Sequence, residues 1–483
     1  MTALWTLSDM AAAMRADTLG ALPEGIDGIS IDTRTLGKGD AFFAIQGDNR
    51  DGHDFVEGAL KAGAGVAVVA RNKRDRFAAD APLLLVDDVL EGLRDLARAA
   101  RARSQAKIIA VTGSVGKTGT KEALRLALSA EAETHASAAS YNNHWGVPLS
   151  LARCPVSAQY AVFEIGMNHA GEITPLTKLV RPHVAIVTTV APVHLEFFGS
   201  LEKIADAKAE IFLGIEPGGA AVLNCDNGQY QRLLAAAKAA GVVRIVTFGE
   251  APTADARLMR HSLQADSSTV QASILGEEVT YKLGAPGRHV VFNSLGVLAA
   301  VSLAGADLAL AALALNQLKA PVGRGARMTL NLPGGNVLLI DESYNANPAS
   351  MAAGIALLGQ AQISQQQVGK NGRRIAVLGD MLELGNQGEA LHRALAEPIA
   401  NANIDLVFCA GPLMHSLWQA LPSSRRGGYA GTAAELEPAV LDAIRAGDAV
   451  MVKGSLGSKM GPIVKALERQ YAGRPAFEQA QGT

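Results

Sequence analysis

Short runs of β-branched and aliphatic residues recur along the chain, as in Lys107 to Thr112, His183 to Val190, Arg374 to Leu378 and Asp405 to Cys409. Between them lie longer stretches rich in alanine and leucine. This alternation predicts an α/β protein whose sheets are largely parallel and covered by helices on both faces. The pattern changes at Ala256 to Leu283, where polar and apolar residues alternate between turn signals. Antiparallel hairpins at the edge of the middle domain are the expectation there. Gly296 to Ala320 is apolar enough to resemble a membrane span, but Asp307 sits in its middle beside Gly305. Two buried amphipathic helices are expected instead.

At 483 residues the chain exceeds one hydrophobic core. Closure of successive strand and helix units predicts three domains, 1–88, 89–320 and 321–483. The first junction falls near Val86 to Asp88, ahead of a helix over Leu90 to Ala102, and the second near Pro321 to Gly325. Charged residues make up 19% of the chain and the net charge is −2, so no general basic field is available for a nucleic-acid backbone. Cys154, Cys225 and Cys409 are far apart and lack metal-ligand spacing, which speaks for a reducing cytoplasm and against a disulfide framework or zinc site. The opening MTALWTLSDM has no basic lead into an apolar run, so export is not expected.

Chemistry concentrates after the strand at Ile108 to Val111. Thr112-Gly113-Ser114-Val115-Gly116-Lys117-Thr118-Gly119 stands between that strand and a helix-forming stretch from Lys121 to Ala130. Glycines let backbone N–H groups turn inward around phosphate oxygens, the helix start adds its positive dipole end, and the lysine adds a point charge. The Thr118 hydroxyl suits Mg²⁺. The full Walker pattern is missing its first glycine, since Val111 stands at that position. Three clusters follow: Glu164-Ile-Gly-Met-Asn168-His169, His194-Leu-Glu196, and Ala207-Lys208-Ala-Glu210. The first two fall beyond strand ends, where parallel sheets bind ligands, and phosphoryl transfer needs cations held by oxygen or imidazole.

The Gly-Ser-x-Gly-Lys-Thr loop, the Glu-x-Gly-x-Asn-His cluster and a histidine upstream of Ala207-Lys208 resemble the middle domain of the Mur ligases. Further stretches carry the resemblance over essentially the whole chain. Ser30-Ile-Asp32-Thr33-Arg34 and Gly47 to Phe55, with Arg50, resemble the segments that take a UDP-linked sugar. Asn142-Asn143-His-Trp-Gly-Val-Pro148 resembles the substrate side of the nucleotide site, its bland reading being a turn before a proline-started helix. Gly287 to Asn293 resembles the adenine-contacting stretch. Asp341-Glu342-Ser-Tyr344-Asn345-Ala-Asn347-Pro-Ala-Ser350 resembles a motif whose second residue is aspartate in the family, so Glu342 keeps the charge but departs from the pattern. Arg324 and Arg327 compete for one arginine of the hinge into the last domain, and Arg327, just before a strand, is preferred.

The resemblance implies a UDP-sugar-binding domain, a central P-loop ATPase-like domain and a C-terminal Rossmann-like domain. It also implies ATP and two Mg²⁺ ions. Lys117, Glu164, His194 and Lys208 would be catalytic, and Thr118, Glu164, His194 and Lys208 would ligate metal, with Lys208 carbamylated to turn an ammonium into a carboxylate. Gly113 through Gly119, Asn168, His169, Asn293, Arg327, Asp341, Tyr344 and Asn345 would meet the nucleotide. Asp32, Thr33, Arg34, Arg50, Asn142, Asn143, Asn347 and Ser350 would meet the other substrates. Gly379-Asp-Met-Leu-Glu383-Leu-Gly385, with no Asp-Asn-Pro-Arg stretch, points to the branch that joins D-alanyl-D-alanine to a UDP-N-acetylmuramoyl tripeptide. The expected protein is a cytoplasmic, monomeric ligase without a membrane segment. A sibling adding a single amino acid, a P-loop switch ATPase and a non-catalytic UDP-sugar module are the alternatives.

Overall fold

The computed structural model describes residues 3–47, 49–138, 140–363 and 372–471; the outermost limits expected for the first and last domains, 1 and 483, lie outside these. Valine, isoleucine and alanine occupy Ile108 to Val111 and all of Val184–Val187, and both faces of these strands are buried. Such strands persist only inside a sheet covered on both sides.

They lie at the centre of a nine-stranded sheet ordered Glu277–Leu283, Ser268–Ile274, Ala256–Leu263, Arg244–Gly249, Ala220–Asn224, Val184–Val187, Lys107–Thr112, Tyr160–Glu164, Thr134–Ala136. Only the hairpins formed by its first three strands are antiparallel, as the alternating pattern predicts. Lys107–Thr112 pairs in parallel with Tyr160–Glu164 on one side and Val184–Val187 on the other, so strand order reverses around it. The crevice at the carboxyl end of such a strand is the ligand-binding position of an open α/β sheet.

A five-stranded sheet precedes it, parallel except at the edge strand Asp17–Leu19. The helix Val89–Arg103, capped by Asp88 accepting from Glu91 N–H at 2.8 Å, joins the two. Its buried Leu93, Leu96, Ala97 and Ala100 belong to a core continuous across both sheets. Trp5 fastens the same junction: its indole N–H donates to Ala152 O at 2.9 Å, and the Arg103 guanidinium lies 3.3 Å from its ring centroid.

The last domain is a six-stranded sheet, Ala326–Leu332, Gly335–Glu342, Ala449–Lys453, Arg374–Gly379, Leu406–Ala410 and Arg426–Ala430, antiparallel only in its first pair. Separate cores fill its two faces. The apolar stretch after Gly296 resolves into the helices Arg288–Leu303 and Leu308–Ala314, with Asp307 as the cap of the second. No helix among the described residues is long and apolar enough to cross a membrane. One expectation changes: the helix containing Pro148 begins at Gly146, so the proline is its third residue rather than its start.

Phe163 is fully buried immediately before Glu164 on Tyr160–Glu164. Truncating it, Phe163→Ala, should cost about 3 to 5 kcal/mol of stability through the lost burial and the cavity left behind. Denaturant unfolding measures this, and a cost below about 1 kcal/mol would show that the strand relaxes around the gap.

Candidate active site

Gly113 has φ 147°, and a Cβ on it would fall 1.9 Å from Thr188 Oγ1, so only glycine lets the loop cross the neighbouring strand end. Gly116 has φ 88° and caps the helix Lys117–Ser129, which begins four residues before the expected start at Lys121. Around this backbone, Thr188 Oγ1 donates to Val115 O at 2.6 Å, and the Ser114 hydroxyl bridges Ala191, accepting from its N–H at 2.9 Å and donating to its carbonyl at 3.0 Å. The Lys117 ammonium folds back over the loop and donates to Gly113 O at 2.8 Å. Burial pushes its pKa down; Glu164 opposes that shift and Arg324 adds to it.

Glu164 is fully buried beside the loop. One carboxylate oxygen accepts from Thr118 Oγ1 at 2.8 Å and the other from Asn142 Nδ2 at 2.7 Å. Two neutral donors leave its negative charge available to cations. Lys208, on Leu201–Ala209, is only 2% exposed and has no hydrogen-bond or ion-pair partner among the described residues. Burial, reinforced by the charge of Lys117, holds its amine well below the usual lysine range. Among the described residues no three His, Cys, Asp or Glu side chains are grouped to hold a metal ion.

A cavity of about 570 Å³ opens from the loop to the last domain. Val115, Gly116, Gly119, His289 and Asn293 line one wall, and Arg324, Glu342, Asn345, Ser350 and Lys453 contribute to the other. Lys453, fully buried, is paired with Glu342 Oε2 at 3.0 Å and donates to Asn345 O at 3.0 Å. Burial lowers the pKa of His289, with Glu342 opposing and Lys453 reinforcing. Asn293 sits against the loop: a Cβ on Gly116 would lie 2.5 Å from its Nδ2.

The two hinge arginines separate clearly. Arg324 reaches Ser140 Oγ at 3.2 Å, covers the Tyr344 ring at 4.5 Å from its centroid, and lines the cavity. Arg327, the expected nucleotide contact, instead donates to Ala265 O in the hairpin turn and is absent from the cavity wall. Asp341 turns inward, accepting from Gly323 N–H at 2.9 Å and from the Ser343 hydroxyl at 2.6 Å. Asn347 and Ser350 form the capping box of Pro348–Gly359, so their pairing in the sequence serves a helix start.

Elsewhere the expected residues disperse. The His194 Nδ1 pairs with Glu383 of the last domain. His169 and Asn168 are exposed; the His169 ring packs 4.8 Å from Phe197, and Asn168 N–H donates to Glu172 at 2.7 Å. Asn143 Oδ1 accepts from Gly146 N–H at 2.9 Å, at the start of the helix Gly146–Ala152. In the first domain Arg34 chelates Asp32 and holds its carboxyl below the usual range, beside half-buried Thr33, while Arg50 is exposed. Lys453 was not singled out in the sequence, whereas His289 lies within the quoted Gly287 to Asn293 stretch. A charged residue ending the otherwise apolar run Ala449–Lys453 was the available signal.

Three family models match in chain order: Mur ligase family, catalytic domain over residues 25–101, Mur ligase middle domain over 111–301, and Mur ligase, glutamate ligase domain over 326–456. The UDP-N-acetylmuramoyl-tripeptide D-alanyl-D-alanine ligase of Escherichia coli (strain K12) is 34% identical over 466 residues, covering 96% of this chain and 98% of its own. That of Rickettsia prowazekii (strain Madrid E) is 32% identical over 440 residues, covering 90% and 94%. The crystal structure of MurF from Acinetobacter baumannii superposes with a TM-score of 0.80 at 29% identity, covering 96% and 99%. MurF ligase from Thermotoga maritima, solved in complex with ADP, shares the fold with a TM-score of 0.74 at 24% identity, covering 93% and 98%.

Proposed function

The chain belongs to the Mur ligase family, and we propose that it joins D-alanyl-D-alanine to UDP-N-acetylmuramoyl tripeptide at the expense of ATP, giving the UDP-muramoyl pentapeptide of peptidoglycan synthesis. The observation that carries this reading is that relatives of that one activity match at 32 and 34% identity across nine tenths or more of the chain, last domain included. A carboxylate is a poor acyl donor in water. Its oxygen therefore first attacks the γ-phosphoryl group of ATP, releasing ADP and leaving an acyl phosphate. The dipeptide amine then attacks the acyl carbon, and phosphate departs as the amide forms.

Lys117, with the N–H groups of Gly113 through Gly119, binds and orients the phosphates. Asn293, Asn345 and Ser350, which line the cavity, hold the nucleotide across it, Tyr344 acts by supporting the Arg324 guanidinium, and Arg324 takes the phosphate-side role first given to Arg327. Asp341 and Asn347 act behind them by fixing the hinge and the helix start. Asn142 and Asn143 are assigned to the acceptor side, Asn168 and His169 remain candidates for the nucleotide, and Asp32, Thr33, Arg34 and Arg50 are assigned to the sugar diphosphate. The working unit is taken as a single chain in the cytoplasm, and the three free cysteines support that compartment.

The donor set fits Mg²⁺. Thr118 and the buried Glu164 suit an ion whose other ligands are phosphate oxygens and water; the assignment of a second ion to His194 and a carbamylated Lys208 follows the resemblance to the family. When bound, these ions neutralise charge on the β- and γ-phosphates. Carbamylation needs an uncharged amine, and the dry, cation-facing position of Lys208 favours one. Its nitrogen attacks CO₂ and loses a proton, which replaces a buried unpaired amine with an anion.

The assay is phosphate release from ATP with Mg²⁺ and the UDP-muramoyl tripeptide, with and without D-alanyl-D-alanine, followed by mass analysis. A dipeptide-dependent pentapeptide is expected, and Lys117→Ala should lower turnover roughly a hundredfold or more, corresponding to about 2.7 to 4 kcal/mol of barrier. Phosphate release with neither peptide would instead indicate a switch ATPase. Arg324→Ala should weaken ADP binding by about 1.5 to 3 kcal/mol in calorimetry, the range of a hydrogen bond to a charged group, with Arg327→Ala much closer to wild type; the reverse order would restore Arg327. With ¹³C-bicarbonate, the active protein should show a carbamate resonance that Lys208→Arg lacks, and a free amine in fully active enzyme would refute the modification.

A further inference from the structure

The turn after Arg374–Gly379 leaves the last domain and meets the middle domain at the start of the short helix Leu195–Phe198. Two non-glycine residues there hold left-handed backbones, His194 at φ 54° and Glu383 at φ 64°. Such conformations are strained in residues with a Cβ and persist where the surroundings impose them. The surroundings here are each other. The Glu383 carboxylate takes His194 Nδ1, Glu196 N–H donates to Glu383 O at 3.2 Å, and Gly385 rests against the Glu196 backbone, where a Cβ would make van der Waals contact with its Cα at 3.4 Å. The second nitrogen of the His194 ring has no partner among the described residues.

A neutral imidazole carries its proton on either nitrogen, and a carboxylate on one side selects the tautomer that donates to it. The opposite nitrogen then presents its lone pair and becomes a better donor, the arrangement that orients histidine ligands in metal sites. We propose that Glu383 is a positioning residue for His194, reaching from the last domain to fix the Nδ1–H tautomer and leave Nε2 as the ligating atom. This inference rests on the reading of His194 as a Mg²⁺ ligand. Because the carboxylate and the imidazole belong to different domains, the ligand is set only while the last domain is docked. Phosphoryl transfer is thereby tied to the arrival of the domain that supplies the other wall of the cavity.

The test uses the full-length protein with the non-hydrolysable analogue AMPPCP and Mn²⁺ as the metal probe, read by electron paramagnetic resonance. His194→Ala and Glu383→Ala should each weaken the weaker Mn²⁺ site about 10- to 100-fold. Glu383→Gln, whose amide oxygen still accepts from Nδ1–H, should recover most of that loss. In ¹⁵N spectra of the histidine rings, His194 should be protonated at Nδ1 in the wild type and shift toward the Nε2–H form in Glu383→Ala. The Glu383 side chain is 44% exposed, so its truncation leaves the core intact. If His194→Ala weakens Mn²⁺ while Glu383→Ala does not, or if the wild-type ring is protonated at Nε2, the positioning role is overturned. If His194→Ala leaves both Mn²⁺ sites unchanged, the ligand reading falls and the inference with it.

Discussion

Three parallel strands in fixed register set the positions on which the rest of the site depends. Glu164 pairs opposite Val111, and Val187 opposite Thr112, so the strand ends that carry the loop, the carboxylate and Thr188 reach the same edge together. A slip of one residue would reverse every side chain between the faces of a sheet buried on both sides. The register therefore cannot drift. From that alignment follow the reach of Thr118 to Glu164 at 2.8 Å and the support of Val115 O by Thr188 at 2.6 Å.

The same edge concentrates positive charge. Arg324 acts on Lys117 and Lys117 on Lys208 near the loop, and Glu164 is the carboxylate that acts on Lys117. On the far wall of the cavity the Lys453 charge is matched by its ion pair with Glu342. Buried cations without anions are unfavourable, and a neutral amine or a bound anion relieves them. The excess lies where phosphates would rest, so ligand recognition here comes from local charge in a chain whose overall net charge is only −2.

What could be read in advance was what depends on neighbours in sequence. The phosphate loop, the hairpins over Ala256 to Leu283 and the helix break at Asp307 are local patterns, and each forms where its residues specify it. The loop's partner Glu164 was legible because strand ends recur at one edge of a parallel sheet. Asn347 and Ser350 were harder, because the same residue types serve ligand contact and helix capping, and only the formed helix shows the second use. Arg324 and Arg327 lie three positions apart, and which one faces the loop depends on the turn between Pro321 and Ala326. Glu383 was part of a quoted motif, yet its partner lies 189 residues away across a domain boundary.

That turn explains why a carboxylate such as Asp341 is spent on backbone rather than on ligand. Gly323 and Gly325 take φ 73° and 98°, which bends the linker sharply between the middle and last domains. Asp341 accepts from Gly323 N–H, Gly325 N–H donates to Asp341 O at 2.8 Å, and Tyr344 N–H donates to Gly323 O at 3.1 Å. The linker is thus laced to the end of Gly335–Glu342 and moves with the last domain as one piece. Arg324, carried on it, cannot approach or leave the loop independently of the cavity's far wall. In the proposed reaction, a guanidinium held with that wall would meet the phosphates only when the wall is in place. An acyl phosphate exposed to water is lost to hydrolysis, so in the proposed reaction an arginine fixed to the last domain would tie activation of the carboxylate to protection of that intermediate.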